Sequence, residues 1–203
     1  MRYWLLTSTT YGTWLPGDER GFVGRVWDTR PEDPATDTFR REHDQPHQAY
    51  DADIPGLKRE SQRLMKGDPV WLTVEQADSV LTQFLETTAY RSWTLHAASI
   101  MANHFHAIVE APADVRSDDI LGDLKSYASR RMNKVFGKPS GGTWWTASGS
   151  KRPLQDTDRL PVPIRYVLDQ YRFLTRYLHP QYGTIEEFLA LHGGLTPAAQ
   201  EAP

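Results

Sequence analysis

Ile100-Met101-Ala102-Asn103-His104-Phe105-His106-Ala107-Ile108-Val109 is an apolar run carrying two histidines. Read as a strand, its period of two puts both imidazoles on one face, roughly 7 Å apart at the backbone, with Phe105 on the other. Trp93 to Met101 reads as a second strand, and Ala102-Asn103 is short enough to turn it straight into the first. A two-residue turn sets Met101 opposite His104 and Ser99 opposite His106, which sends His96 to the other face as a structural histidine. Two converging imidazoles make half a metal site, although His-x-His also arises by chance in strands.

Working outward, residues 2 to 10 are rich in β-branched and aromatic types and read as a first strand closed by Tyr11-Gly12. From Gly12 to Asp68 the periodicity fades, so 12–70 is expected as a long irregular insertion. Thr73 to Tyr90 predicts a helix, with Thr73 as N-cap, Gln76 at the capping-box position and a stripe of Val74, Ala77, Val80, Leu81, Phe84 and Leu85. Ser117 predicts the cap of the next helix, whose stripe is Ile120, Leu121, Leu124, Ala128, Met132 and Val135, with Tyr127 at its edge. The Trp144-Trp145 segment is the candidate for a final strand. Pro163 to Leu178 reads as a third helix stopped at His179-Pro180. Thr184-Ile185-Glu186-Glu187 is a capping box opening a short helix that ends at Gly193-Gly194. The order strand, helix, strand, strand, helix, strand predicts an α+β fold: a ferredoxin-like antiparallel sheet with helices packed on one face, followed by C-terminal helices. Residues 1–195 form one domain in this reading, and 196–203 a disordered tail.

A chain of 203 residues with 39% hydrophobic content can bury one ordinary core. It has no cysteine, which excludes disulfides and thiol catalysis and fits a reducing compartment. The N-terminal apolar stretch is too short for a signal peptide and no segment has membrane-spanning length, so the expectation is a soluble, cytoplasmic protein. A net charge of −3 argues against a uniformly basic surface and leaves local patches open.

One such patch is legible. Between Leu124 and Arg152 the chain carries Lys125, Arg130, Arg131, Lys134, Lys138, Lys151 and Arg152 without an acid, and Trp144 and Trp145 sit inside that interval beside Gly141-Gly142. Cations for phosphates interleaved with flat rings for unstacked bases suit single-stranded nucleic acid, provided the tryptophans are exposed. A solvated helix face followed by a core tryptophan pair is the plainer alternative.

A His-hydrophobe-His strand in Met-Ala-Asn-His-Phe-His, followed by a helix with a Lys-flanked tyrosine, resembles the HUH single-tyrosine (Y1) transposases of the IS200-like group and their relatives associated with repetitive extragenic palindromes. The resemblance implies the ferredoxin-like fold and a single-stranded DNA endonuclease and strand transferase. Tyr127 would be the nucleophile, forming a 5′-phosphotyrosine link. His104 and His106 would hold Mg²⁺ or Mn²⁺, and Mn²⁺ is expected to serve at least as well. The partner would be single-stranded DNA with a hairpin, gripped through Lys125, Arg130, Arg131, Lys134, Trp144, Trp145, Lys151 and Arg152, and a homodimer is plausible from relatives.

The chain departs from the pattern at one place. In the family an oxygen-bearing side chain one helical turn after the tyrosine completes the metal site, whereas Arg131 occupies that position after Tyr127. Asn133, Gln155, Asp156 or water could fill the gap, or Arg131 could clamp the phosphate itself. Glu110 shares the histidine face but lies about 13 Å along the strand from His106. A catalytically inactive, domesticated hairpin-binding module is therefore the alternative reading. His43-Asp44-Gln45-Pro46-His47 is expected as a surface loop because Pro46 breaks any helix that would align its histidines. Arg20, Arg25, Arg30, Arg40 and Arg41 could grip DNA, with acids interspersed, and Trp14-Leu15-Pro16-Gly17-Asp18 has no evident role in the sequence.

Overall fold

The computed structural model describes residues 1–20, 24–28, 41–43, 54–154 and 160–193. Its centre is the hairpin of β4 (Thr94–Met101) and β5 (His104–Ala111), joined through Ala102-Asn103. Ser99 faces His106 across it, as the two-residue turn requires. The turn is pinned from outside, because Leu72 N–H donates to Ala102 O at 2.7 Å and Thr10 N–H to Asn103 O at 2.8 Å.

On the other side of β5 lies β1 (Arg2–Thr9), then β6 (Ser150–Leu154), while β7 (Phe173–Leu178) flanks β4. The strand order is β6-β1-β5-β4-β7 and every pairing is antiparallel. Helix α2 (Val74–Tyr90) joins β1 to β4 and α3 (Ser117–Phe136) joins β5 to β6. This is the expected ferredoxin-like α+β arrangement, extended by one edge strand.

Alternation along β5 sorts the core into two halves. Phe105, Ala107, Val109 and Ala111 join Leu6, Ala98 and Ile100 against Val80 and Phe84 of α2 and Ile120, Leu124, Ala128 and Met132 of α3. Ile108 points the other way, with Leu5, Ala97 and Leu178, against Ile164, Val167 and Leu168 of α4 (Pro161–Leu168) and Phe188 of α5 (Ile185–Leu191). The sheet is therefore covered on both faces, which is why β5 reads as a nearly continuous buried run.

The caps are partly as the sequence implies. Thr73 with Gln76 and Thr184 with Glu187 both form capping boxes. Ser117, expected as a cap, is instead the first helical residue, and Arg116 takes the N-cap position without a side-chain bond. Val74 and Val135, counted in the buried stripes, are exposed at the helix ends.

Three expectations need correction. Pro163 to Leu178 is not one helix: α4 stops at Leu168, Arg172 adopts φ 60°, and Phe173 onward pairs with β4. Aromatic and β-branched residues there satisfy a strand as well as a helix, so periodicity could not arbitrate. The last strand of the ferredoxin-like unit is Ser150–Leu154, while Trp145 makes only an isolated bridge to Thr10.

The third correction concerns 12–70, which contains β2 (Gly24–Asp28) paired with β3 (Arg41–His43), and α1 (Pro55–Arg63). Ahead of these, Gly17 turns at φ +84°, where an added Cβ would meet Ile54 O at 2.5 Å. Its neighbour Asp18 is held between Arg20 at 2.7 Å and Lys58 of α1 at 3.2 Å. The side chains of Arg25, Arg30, Arg40 and Arg41, the His43–His47 motif apart from the His43 backbone, and the tail 196–203 lie outside the described residues. No described helix is long and apolar enough to cross a membrane.

Candidate active site

The two histidines emerge on the α4 face of β5, next to Thr9 and Thr7 of β1 by register. Their rings meet edge to face with centroids 5.1 Å apart. Asn103 Oδ1 can only accept, so His104 Nδ1–H donates to it at 2.7 Å, and His106 Nδ1 is tied to Thr7 Oγ1 at 2.6 Å. The nitrogen left over on each ring is Nε2. Burial holds His104 down to about 4 and His106 to about 3, with the Arg20 charge adding to the first and His104 to the second. Both imidazoles are neutral at pH 7, the state a metal requires.

A tied Nδ1 and a spare Nε2 on two adjacent neutral rings fit the nitrogen share of a divalent-ion site. Among the described residues no cluster of three His, Cys, Asp or Glu completes it. A third donor from the described chain would therefore be of another type, such as an amide or hydroxyl.

Tyr127 lies across the sheet from this pair. Its helix, α3, packs against the Phe105 side, and Tyr127 itself stacks under Arg130 at 4.9 Å. The two imidazoles and this hydroxyl are separated by the full thickness of the sheet, which corrects the expectation that α3 would bring them together. The tyrosine beside the histidines is Tyr166 of α4, whose ring centroid is 5.3 Å from that of His106. Burial raises its pKa, while a hydrogen bond from Gln170 and the charge of Arg152 lower it. Gln170 follows Tyr166 by one helical turn and donates from Nε2 to Tyr166 O at 2.8 Å.

One transverse row of the sheet supports α4. Thr7, His106, Ser99 and Arg176 are successive cross-strand partners on β1, β5, β4 and β7. The fully buried Ser99 donates to Val167 O at 2.5 Å and Arg176 Nη1 to Leu168 O at 2.8 Å. Thus the row that presents His106 also satisfies the last carbonyls of the helix that presents Tyr166.

The remaining expected residues divide by face. Arg152 opposes Leu5 in the register and so shares the histidine face. Lys151, its neighbour, points the other way and pairs with Asp118 at 2.8 Å. Lys125 donates to Thr146 O and Ser148 O, and burial brings its pKa to about 8. Arg131 pairs with Glu86 at 2.8 Å, and Lys134 is exposed near the end of α3. The acid-free interval is thus not acid-free in space, because α2 and the first turn of α3 supply carboxylates.

Trp144 and Trp145 are core residues, 5% and 4% exposed, which overturns their expected role as stacking rings. Trp145 packs on Phe105 and Trp144 donates to Asn133 Oδ1 at 2.9 Å, so Asn133 is also engaged on the far side. Gln155 and Asp156 lie outside the described residues.

Two further residues lie near the histidine pair. A β-bulge between Leu95 and Ala97 returns His96 to the same face as His106, where it bonds Glu110 at 3.0 Å and Tyr182 at 2.8 Å. Arg20 is locked by Asp18, by Thr13 O at 3.0 Å and by the Trp14 ring at 4.6 Å, and its charge reaches His104. The Trp14–Asp18 stretch therefore has a structural use, which is to seat Arg20.

Residues 69–170, from the approach to α2 through α4, match the family model described as Transposase IS200 like. The chain belongs to the IS200-like transposase family. The match spans the histidine strand and ends on Gln170, so it includes both tyrosines. No curated protein matches the sequence of this transposase-family chain. Among solved structures it is similar to a REP-associated tyrosine transposase bound to a REP hairpin, at 9% identity and a TM-score of 0.41, covering 82% of this chain and 64% of that one. It is also similar to a candidate transposase from Deinococcus radiodurans R1, at 15% identity and a TM-score of 0.42, covering 84% and 92%. The chain thus spans about two thirds of the length of the first of these, 64%.

Proposed function

We propose that this IS200-like transposase cleaves and rejoins single-stranded DNA with Tyr166, and not Tyr127, as the nucleophile. The observation that carries the reading is the packing of the Tyr166 ring against His106 with Gln170 one turn further on. In this reading the Tyr166 oxygen attacks the phosphorus in line, and the phenolic proton passes to solvent. The bond to the 3′ oxygen breaks, leaving a 5′-phosphotyrosine and, once that oxygen is protonated, a free 3′ hydroxyl. The reverse step, with another 3′ hydroxyl as nucleophile, joins strands without a nucleotide cofactor.

His104 and His106 through Nε2, with the Gln170 amide oxygen as third donor, would hold Mg²⁺ or Mn²⁺, which when bound supplies Lewis-acid polarisation of the phosphate. Gln170 answers the donor requirement that Arg131 could not meet. Arg152, whose charge reaches Tyr166, and Arg20, whose charge reaches His104, would add positive potential for the phosphate. The DNA partner, a single strand bearing a hairpin, is part of the proposal.

The test is a denaturing gel with labelled hairpin-bearing single-stranded DNA and Mn²⁺, comparing wild type, Tyr166→Phe and Tyr127→Phe. A covalent band in wild type and Tyr127→Phe but not in Tyr166→Phe is expected. Loss of the band in Tyr127→Phe alone would overturn the assignment. Hairpin binding by wild type without any adduct would favour the domesticated binding module.

A further inference from the structure

The segment just after Gln170 carries a feature that cleavage does not use. Tyr171 is 83% exposed and Phe173 42% exposed, and each is paired with an arginine, Arg172 lying 5.4 Å from the Tyr171 ring and Arg176 3.7 Å from that of Phe173. Scattered exposed rings need no explanation, but two within three residues, each backed by a guanidinium, form a cationic aromatic surface. Between them Arg172 holds φ 60°, a left-handed conformation that a non-glycine side chain keeps only under constraint.

Position adds to chemistry. Phe173 opposes Met101, the last residue of β4, so it stands at the same end of the sheet as the turn into His104. Arg176, which covers one side of the Phe173 ring, is opposite Ser99 and donates to Leu168 O of α4. The ring is thereby tied through one guanidinium to the helix that carries Tyr166. A planar group stacked on Phe173 would be held in fixed relation to the candidate nucleophile.

We infer that Phe173 and Tyr171, backed by Arg176 and Arg172, form a stacking platform for unpaired nucleobases of the strand being cut, beside the scissile phosphate. This inference rests on the proposed single-stranded DNA reading and deepens it by naming where bases are held. The occupant is a nucleobase and not an apolar peptide, because the flanking arginines add attraction for phosphates on either side of a stacked base.

The experiment is fluorescence anisotropy at one fixed salt concentration with two labelled strands, a dT 12-mer and an abasic 12-mer, on wild type, Phe173→Leu and Phe173→Tyr. Wild type is expected to prefer the dT strand. Phe173→Leu should lose about tenfold for dT with no change for the abasic strand, and Phe173→Tyr should restore the preference. Equal loss for both strands would mean that Phe173 only braces Arg176, and either that result or no loss would overturn the platform. The adduct assay above is read separately: an adduct with an unchanged strand preference sinks the platform alone. A Phe173-dependent preference without an adduct leaves the platform standing and sinks the transferase reading.

Discussion

Phe105 and His106 are neighbours in one strand and belong to different molecules in all but covalent terms. The face that Phe105 enters is dry, with α2 and α3 laid over apolar side chains from three strands, and Phe105 itself is fully buried. The face that His106 enters holds a row of polar groups beneath α4, in which Thr7 and His106 bond each other and Ser99 and Arg176 each bond a helix carbonyl. Both faces carry an apolar core, and only the second adds the polar row on which the proposed chemistry rests. Because side-chain direction alternates with every residue, a single-residue change of position moves a mutation from one account to the other.

The sharpest way to break that contrast is to strip each face in turn. Replacing His104 and His106 with Gln together should reduce DNA cleavage by about a thousandfold or more, with a smaller loss of stability than Phe105→Ala produces. Phe105→Ala should do the reverse, lowering stability by about 3–5 kcal/mol in urea unfolding while leaving the active-site groups in place in whatever fraction remains folded. Comparable destabilisation by both would erase the distinction.

A smaller effect is expected from the row that joins the site to its helix. Ser99→Ala removes the donor to Val167 O and leaves that carbonyl without its partner, which should cost about 1–3 kcal/mol. The same variant should slow cleavage, since the last turn of α4 is loosened; stability loss with full activity would detach the row from the chemistry.

Acid titration sharpens the contrast further. His104 and His106 titrate near 4 and 3 when folded, below the ordinary value of 6.5 that the unfolded chain retains. Their contribution to stability is complete above about pH 6.5 and is lost as pH falls from there toward 4 for His104 and toward 3 for His106, because the unfolded state takes up protons first. Urea midpoints measured between pH 7.5 and 4.5 should decline, and His104→Gln with His106→Gln should flatten part of that decline. Least of all should Arg131→Gln matter: its pair with Glu86 is partly exposed on the α2/α3 face, worth about 0.2–1 kcal/mol in unfolding and nothing in cleavage.

Much of this division was legible in the sequence, and some of it was legible but not combined. The hairpin, both capping boxes and the ferredoxin-like order follow from local patterns. The placement of Tyr127 away from the histidines follows from two local facts: Phe105 faces away from the histidines, and the ferredoxin-like helix α3 packs on the Phe105 face. Together these put α3 on the face opposite the histidine pair. The spacing of Tyr166 and Gln170 was also visible, one turn apart, but it was hidden inside a supposed helix running to Leu178. What could not be read locally is tertiary. The bulge that returns His96 to the site face depends on pairing, Asp118 and Glu86 reach the basic run from elsewhere, and the burial of Trp144 and Trp145 depends on Phe105 and Asn133 being beside them.

The most direct measurement is peptide mapping by mass spectrometry of the covalent species formed with single-stranded DNA and Mn²⁺, asking which tyrosine carries the nucleotide. The expected result is a nucleotide remnant on the α4 peptide at Tyr166. A remnant on the α3 peptide at Tyr127 would contradict the assignment of chemistry to the histidine face.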